Sequence, residues 1–271
     1  MIRFSNVFLQ FDGRQVLKNI SMDVLAGATQ VILGGSGCGK TITLRLILGL
    51  LLPESGSILI DGQELVGLTE RQMAPIRTRM AMVFQGAALF DSLTVRENVG
   101  YRLWEEGTLE DRTIEQRVVE SLWFVGLEDT MNKMPAELSG GMKKRVAIAR
   151  ALACKPKLIL YDEPTAGLDP INTHLVNQLV CRLHTEEQVT QIVVTHDLET
   201  AYRVADRLIM IHRGEKIFDG SVDALQTSED PRIRTFLRPD EVLAEPDCFP
   251  CKDRGVRVVA PAVEKVERTP A

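Results

Sequence analysis

Gly34-Gly35-Ser36-Gly37-Cys38-Gly39-Lys40-Thr41 constrains this chain more than any other stretch of it. The segment fits the spacing GxxxxGK[ST], follows the apolar run Val31-Ile32-Leu33 and precedes a helix-compatible stretch starting at Lys40. Glycines let the backbone curl until its N–H groups point at phosphate oxygens, and the positive end of the following helix favours an anion there. In that setting Lys40 reaches the β and γ phosphates and Thr41 supplies an oxygen to Mg2+. A merely flexible glycine loop would not need a strand before it and a helix after it. The segment therefore predicts ATP or a similar triphosphate, bound with Mg2+ at the edge of a parallel sheet.

The rest of the chain agrees with such a sheet. Met80 to Phe84, Leu158 to Tyr161, Gln191 to Thr195 and Leu208 to Ile211 are compact apolar runs suited to buried parallel strands. Lys40 to Leu50, Ile171 to Glu186 and Leu198 to Ala205 are helical stretches, each after a strand-like run. Near the start, Ile2 to Leu9, Val16 to Leu25 and Thr29 to Leu33 alternate with turns and predict a small antiparallel layer, which Ser57 to Ile60 can join. From about residue 86 to 155 helix formers dominate, with Thr94 to Leu103, Leu109 to Val125 and Gly141 to Ala153 as the best segments, which reads as a helical insert. Residues 238–271 hold five of the 12 prolines, lose periodicity, and are expected to form an extended or partly disordered tail.

At 271 residues the chain has room for one large domain but not for two large modules, and its 45% hydrophobic and 25% charged residues are those of an ordinary globular protein. A formal net charge of −5 gives no electrostatic advantage with nucleic acid. Met1 to Gly13 lacks a basic segment followed by an apolar run, so a cytosolic protein is expected, and the apolar stretch Leu46 to Pro53 is too short to span a bilayer. Five cysteines without a framework spacing suit reduced thiols; Cys248-Phe249-Pro250-Cys251 is either a lone metal or redox pair or incidental. Cys38, beside a helix N-terminus, is expected to have a depressed pKa and to be open to alkylation.

Leu158-Ile159-Leu160-Tyr161-Asp162-Glu163 is an apolar strand ending in two carboxylates, which places both at the carboxyl edge of the sheet beside the glycine loop. Asp162 is the candidate Mg2+ ligand, and Glu163 is placed to orient or deprotonate an attacking water. Leu138-Ser139-Gly140-Gly141-Met142 opens a helix capped by Ser139. Free N–H groups of Gly140, Gly141 and Met142 with the Ser139 hydroxyl suit a second phosphate site, while Lys143, Lys144, Arg145 and Arg150 fit a solvated face.

The glycine loop, the LSGG segment, the strand-end Asp-Glu and a later Thr195-His196-Asp197, in that order over residues 1–237, resemble the nucleotide-binding subunit of an ABC transporter. The resemblance implies a P-loop NTPase, RecA-like parallel-sheet core with an N-terminal antiparallel β layer and a helical subdomain. It further implies that Phe11 stacks on adenine and that Gly34 through Ile42 cradle the phosphates. Thr41, Asp162 and Gln85 would hold Mg2+, with Gln85 also linking the attacking water to the helical insert. Lys40, Glu163, Gln85 and His196 would serve catalysis, and Asp169 would cross a dimer interface. Phe11 could equally be core, Gln85 a surface amide and His196 a satisfied buried histidine. Because the LSGG segment of one copy closes the site of another, a homodimer sandwiching two ATP molecules is implied. Met142 replaces the usual Gln of LSGGQ, and Ile42 stands where a second hydroxyl residue often follows GK[ST].

Within that family, Phe84 to Val99, the LSGGM segment and Asp230 to Leu237 resemble the MlaF-type ATPases of Mce-associated phospholipid transport in Gram-negative envelopes. The implied partners are an MlaE-like permease, an MCE-domain (MlaD-like) protein and a small STAS-domain protein, with no nucleic acid, at the cytoplasmic face of the inner membrane. Leu89, Phe90 and Leu93 then belong either to a groove for a permease coupling helix or to ordinary packing. An importer ATPase for a polar solute, such as an amino acid or glycine betaine, and a soluble non-transport ABC ATPase are the other readings.

Overall fold

A computed structural model describes residues 1–238. The chain runs β1 (Ile2–Phe11), β2 (Arg14–Val24), β3 (Thr29–Leu33), α1 (Lys40–Ile47), β4 (Ser55–Ile60), β5 (Gln63–Glu64), α2 (Glu70–Arg77) and β6 (Met80–Val83). It continues through α3 (Val95–Glu106), α4 (Asp111–Phe124), α5 (Gly140–Ala153), β7 (Leu158–Asp162), α6 (Pro170–Glu187), β8 (Thr190–Thr195), α7 (Leu198–Val204), β9 (Arg207–His212), β10 (Glu215–Gly220), α8 (Val222–Gln226) and α9 (Pro231–Leu237). The proposed tail and the Cys248–Cys251 pair lie outside the described residues.

Two sheets organise the fold. One is antiparallel, in the order β2-β1-β4-β5; the other is six-stranded, in the order β10-β9-β3-β8-β7-β6, parallel except for the edge strand β10. Thr29–Leu33 departs from its expected place, lying inside the parallel sheet between β9 and β8. The reason is visible in its burial. β1 alternates buried and exposed positions, as a half-covered strand does, whereas all five residues of β3 are buried.

Period-two alternation divides the parallel sheet between two cores. Val31, Leu33, Val83, Ile159, Tyr161, Val193 and Met210 face the helices α3 to α7. Ile32, Leu158, Leu160, Ile192, Val194, Ile209 and Ile211 face the antiparallel layer and α1. Hydrophobic cover on both faces is what a parallel sheet requires, and it leaves only the strand ends open to a ligand.

The helices between Val95 and Ala153 are set by local chemistry. Thr94 caps α3, accepting from the Glu97 N–H while Glu97 accepts from the Thr94 N–H. Gly107 ends α3 in the left-handed region. Asn98, fully buried, bonds the carbonyls of Phe90, Leu93 and Thr94 and accepts from the Phe90 N–H, which pins the loop leading into the helix. Among the described residues no helix is long and apolar enough to cross a membrane.

Candidate nucleotide site

Register brings the motifs level. Leu33 of β3 pairs with Thr195 of β8, and Asp162 of β7 pairs with Val194, so the glycine loop, Asp162-Glu163 and Thr195-His196 leave the same sheet edge. The Gly34 N–H donates to the Thr195 carbonyl at 3.3 Å, and the Glu163 N–H to the Val194 carbonyl at 2.9 Å. Gly34 cannot be replaced cheaply, because a β-carbon there would lie 2.3 Å from the Ile211 carbonyl oxygen and 2.6 Å from Cys38 Sγ. No side chain caps the first turn of α1, which leaves its N-terminal N–H groups for an anion.

Five predicted side chains converge here. Lys40 Nζ, on a residue 7% exposed, donates to the carbonyls of Gly34 at 2.8 Å and Gly35 at 3.1 Å and lies 3.3 Å from Glu163 Oε1. The Thr41 hydroxyl donates to Asp162 Oδ1 at 2.9 Å. Glu163 Oε2 meets His196 Nδ1 at 2.9 Å and accepts from the His196 N–H and the Thr195 hydroxyl, both at 3.3 Å. Burial pushes the Asp162 carboxyl above the ordinary carboxylate range; the Thr41 hydroxyl opposes the shift and the Glu163 charge adds to it. Glu163 itself has φ of +48°, a left-handed conformation in a non-glycine residue that the surrounding bonds must hold.

The oxygens of Thr41 and Asp162, already within 2.9 Å of each other, form a donor set that suits Mg2+, which prefers hard oxygen ligands and keeps several waters. Phe11, at the end of β1, is 42% exposed and is not core. Ile42 is half-buried against the apolar core beneath α1. The Gln85 side chain is exposed after β6.

Other predicted residues sit apart. Among the described residues no hydrogen bond or ion pair joins Ser139, Gly140, Gly141 or Met142 to the glycine loop. Ser139 does cap α5, and its hydroxyl accepts from the Met142 N–H at 3.3 Å, so that N–H is not free as expected. Asp169 caps α6 through Asn172, whose N–H donates to Asp169 Oδ1 at 2.9 Å.

Two expectations are overturned. Cys38 is buried, and burial pushes its thiol pKa up despite the nearby Lys40 charge. The basic residues of α5 are not simply a solvated face. Arg150 donates to the carbonyls of Ala88 at 2.7 Å and Ala87 at 2.9 Å, and Arg145 to Val125 at 3.1 Å. Lys144, only 5% exposed, donates to the carbonyls of Gln85 and Glu163. Sequence reasoning missed Lys144 and Thr195. The signal for Lys144 was its place two residues after Met142, on the same side of α5 as the buried Ala147 and Ala151.

Residues 17–166 match the family described as ABC transporter. This chain belongs to that family. It is 39% identical, over 88% of its length and 90% of the relative's, to the intermembrane phospholipid transport system ATP-binding protein MlaF of Haemophilus influenzae. It is 38% identical over 84% of its length to the probable ribonucleotide transport ATP-binding protein mkl of Mycobacterium leprae, of which it spans 65%. Among solved structures, a dimeric ATP-binding cassette in a post-hydrolysis state with ADP and Pi superposes with a TM-score of 0.75 at 33% identity, covering 82% of this chain and 99% of that one. The fold is thus that of an ABC ATPase, with the two carboxylates and the glycine loop at one edge of its parallel sheet.

Proposed function

We propose that this chain is the ATP-hydrolysing subunit of an ABC transporter that moves phospholipid across a Gram-negative envelope, acting at the cytoplasmic face of the inner membrane. Its partners are an MlaE-like permease, an MCE-domain protein and a small STAS-domain protein. The observation that carries the ATPase half is the convergence of Lys40, Thr41, Asp162, Glu163 and His196 on one sheet edge. The cargo half is supported by the MlaF relative and by the Phe84–Val99, LSGGM and Asp230–Leu237 segments.

In this reading residues 1–237 are the ATP-binding unit and 86–155 its helical subdomain. Gly34, Gly35, Ser36, Gly37, Cys38, Gly39 and Ile42 wrap the phosphates with backbone N–H groups, Lys40 neutralises the β and γ oxygens, and Phe11 offers its ring to adenine. Thr41, Asp162 and Gln85 hold Mg2+, which when bound offsets charge developing on the transferred phosphoryl oxygens. Glu163 orients the attacking water and takes its proton on a carboxylate oxygen, and His196 contacts the γ phosphate. Ser139, Gly140, Gly141, Met142 and Asp169 serve the site of a second copy, in a head-to-tail homodimer. A cavity of about 630 Å3 lined by Met82, Phe84, Phe90, Tyr101 and Cys154 receives a permease helix. Of the residues expected there, Phe90 lines it, whereas Leu89 packs against the core and Leu93 lines a neighbouring hollow.

Mild-detergent capture from native membranes, with mass spectrometry of proteins and lipids, tests the reading. A permease, an MCE-domain protein and enriched phospholipid are expected. A periplasmic solute-binding protein without lipid would move the cargo to a polar solute, and ribosomes or nucleic acid in place of a permease would end the transporter reading.

A further inference from the structure

A buried ammonium on α5 stands between the two halves of the reaction machinery. Lys144 lies on the second turn of α5 and is 5% exposed. Its Nζ donates to the Glu163 carbonyl at 3.2 Å and to the Gln85 carbonyl. Among the described residues no carboxylate forms an ion pair with it: peptide oxygens accept its hydrogen bonds, and the Asp162 and Glu163 charges act on it from further away. A buried cation held in this way is costly, and an apolar side chain of similar length would fill the space more cheaply. Stability alone does not account for a lysine here.

The two carbonyls it joins belong to segments that need outside support. Glu163 sits in the left-handed region at φ +48°, and the Gln85 loop continues through Ala87 at +62° and Ala88 at +48°. Arg150, two turns further along α5, holds the Ala87 and Ala88 carbonyls. Lys144 alone among these cations also reaches Glu163. A small displacement of α5, which begins at the Ser139 cap, therefore moves the Gln85 loop and the Glu163 backbone together.

We propose that Lys144 is a positioning residue: it clamps the Gln85 loop to the Glu163 backbone, so that α5 sets where the Glu163 carboxylate points. It touches no reacting atom and acts through the peptide it holds. The proposal rests on Glu163 being the carboxylate that works on the attacking water.

The test uses the full chain with Lys144→Met, Lys144→Arg and Glu163→Gln in parallel, measuring kcat, KM for MgATP and thermal unfolding. Misplacing a catalytic group by about an ångström costs up to about 100-fold, so Lys144→Met is expected to lower kcat by about 10- to 100-fold. Its KM should stay within about threefold, since the glycine loop is untouched. Lys144→Arg, which keeps a charged donor, should recover most of the loss. Unchanged kcat in Lys144→Met, or a loss confined to KM, would overturn the proposal. If Lys144→Met does not fold, Lys144→Gln replaces it; failure of both to fold while Lys144→Arg folds would make the lysine structural and also overturn it. Full turnover in Glu163→Gln would instead remove the reading on which the proposal rests.

Discussion

Gly141, second residue of α5, packs against Asn172 on α6. A methyl group at that position would lie 2.1 Å from Asn172 Oδ1, 2.3 Å from its Cγ and 2.9 Å from its Cβ. Contact between such atoms begins near about 3.5 Å, so the overlap with the amide exceeds an ångström. Asn172 is not free to swing aside, because its Nδ2 donates to Asp169 Oδ2 at 2.5 Å and its backbone N–H to Asp169 Oδ1. Forcing a methyl into packed space costs about 1–3 kcal/mol. Alanine regains about 0.5–1 kcal/mol over glycine within a helix, leaving Gly141→Ala destabilised by about 1.25 kcal/mol at the midpoints and at most by about 2.5 kcal/mol. At about 2–4 °C per kcal/mol for a chain of this size, the melting temperature should fall by about 2.5–5 °C at the midpoint and by no more than about 10 °C. In an Asn172→Ala background the Oδ1 and Cγ are gone and only the Cβ contact at 2.9 Å remains, so the same substitution should cost clearly less than in the parent. Calorimetry on the four proteins of this cycle reads the coupling directly. Equal melting losses in both backgrounds, or none in either, would refute packing as the reason for glycine here; a glycine needed only for ligand approach would leave stability unchanged.

Two further outcomes follow from burial and charge. Cys38 should react with iodoacetamide at pH 7.5 at least about tenfold more slowly than in the urea-unfolded chain, because its thiol is buried and its thiolate disfavoured; equal rates by peptide mass spectrometry would contradict this. The Asp162 carboxyl, raised from its ordinary 3.8, binds its proton more tightly folded than unfolded, so stability falls as pH rises from the unfolded value through the folded one, and the penalty is complete above both. Asp162→Asn keeps an acceptor for the Thr41 hydroxyl and removes the charge. It should therefore melt higher than the parent at pH 7, lose that advantage below about pH 3, and lose Mg2+-dependent turnover. A lower melting temperature at pH 7 would contradict the charge argument.

Motif-bearing stretches were the most legible part of the sequence. Motif and strand-end logic point to Lys40, Thr41, Asp162 and Glu163, and the family resemblance adds His196; in the structure Thr41 bonds Asp162, while Glu163 meets both Lys40 and His196. Short strands with continuous apolar runs, such as Leu158–Asp162, were recognisable because both faces are covered. Thr29–Leu33 was assigned to the wrong sheet, since turn spacing suggests neighbours in sequence while burial on both faces decides neighbours in space. β10 went unread because its residues are only partly buried at a sheet edge, and α2 because Pro75 interrupts its helical pattern. Lys144 and Cys38 were misread for one reason: charge and reactivity scale with exposure, and exposure is a property of the packed fold.

Exchange of Glu163 for Gln tests the central claim most directly, because it removes the carboxylate charge while leaving an acceptor for Thr195 and His196. Binding of MgATP, followed by titration calorimetry, should remain near that of the parent, and steady-state phosphate release should fall by about 100- to 10,000-fold, the range for loss of a general base. Undiminished phosphate release would contradict Glu163 as the catalytic carboxylate and, with it, the assignment of this sheet edge as the hydrolytic centre.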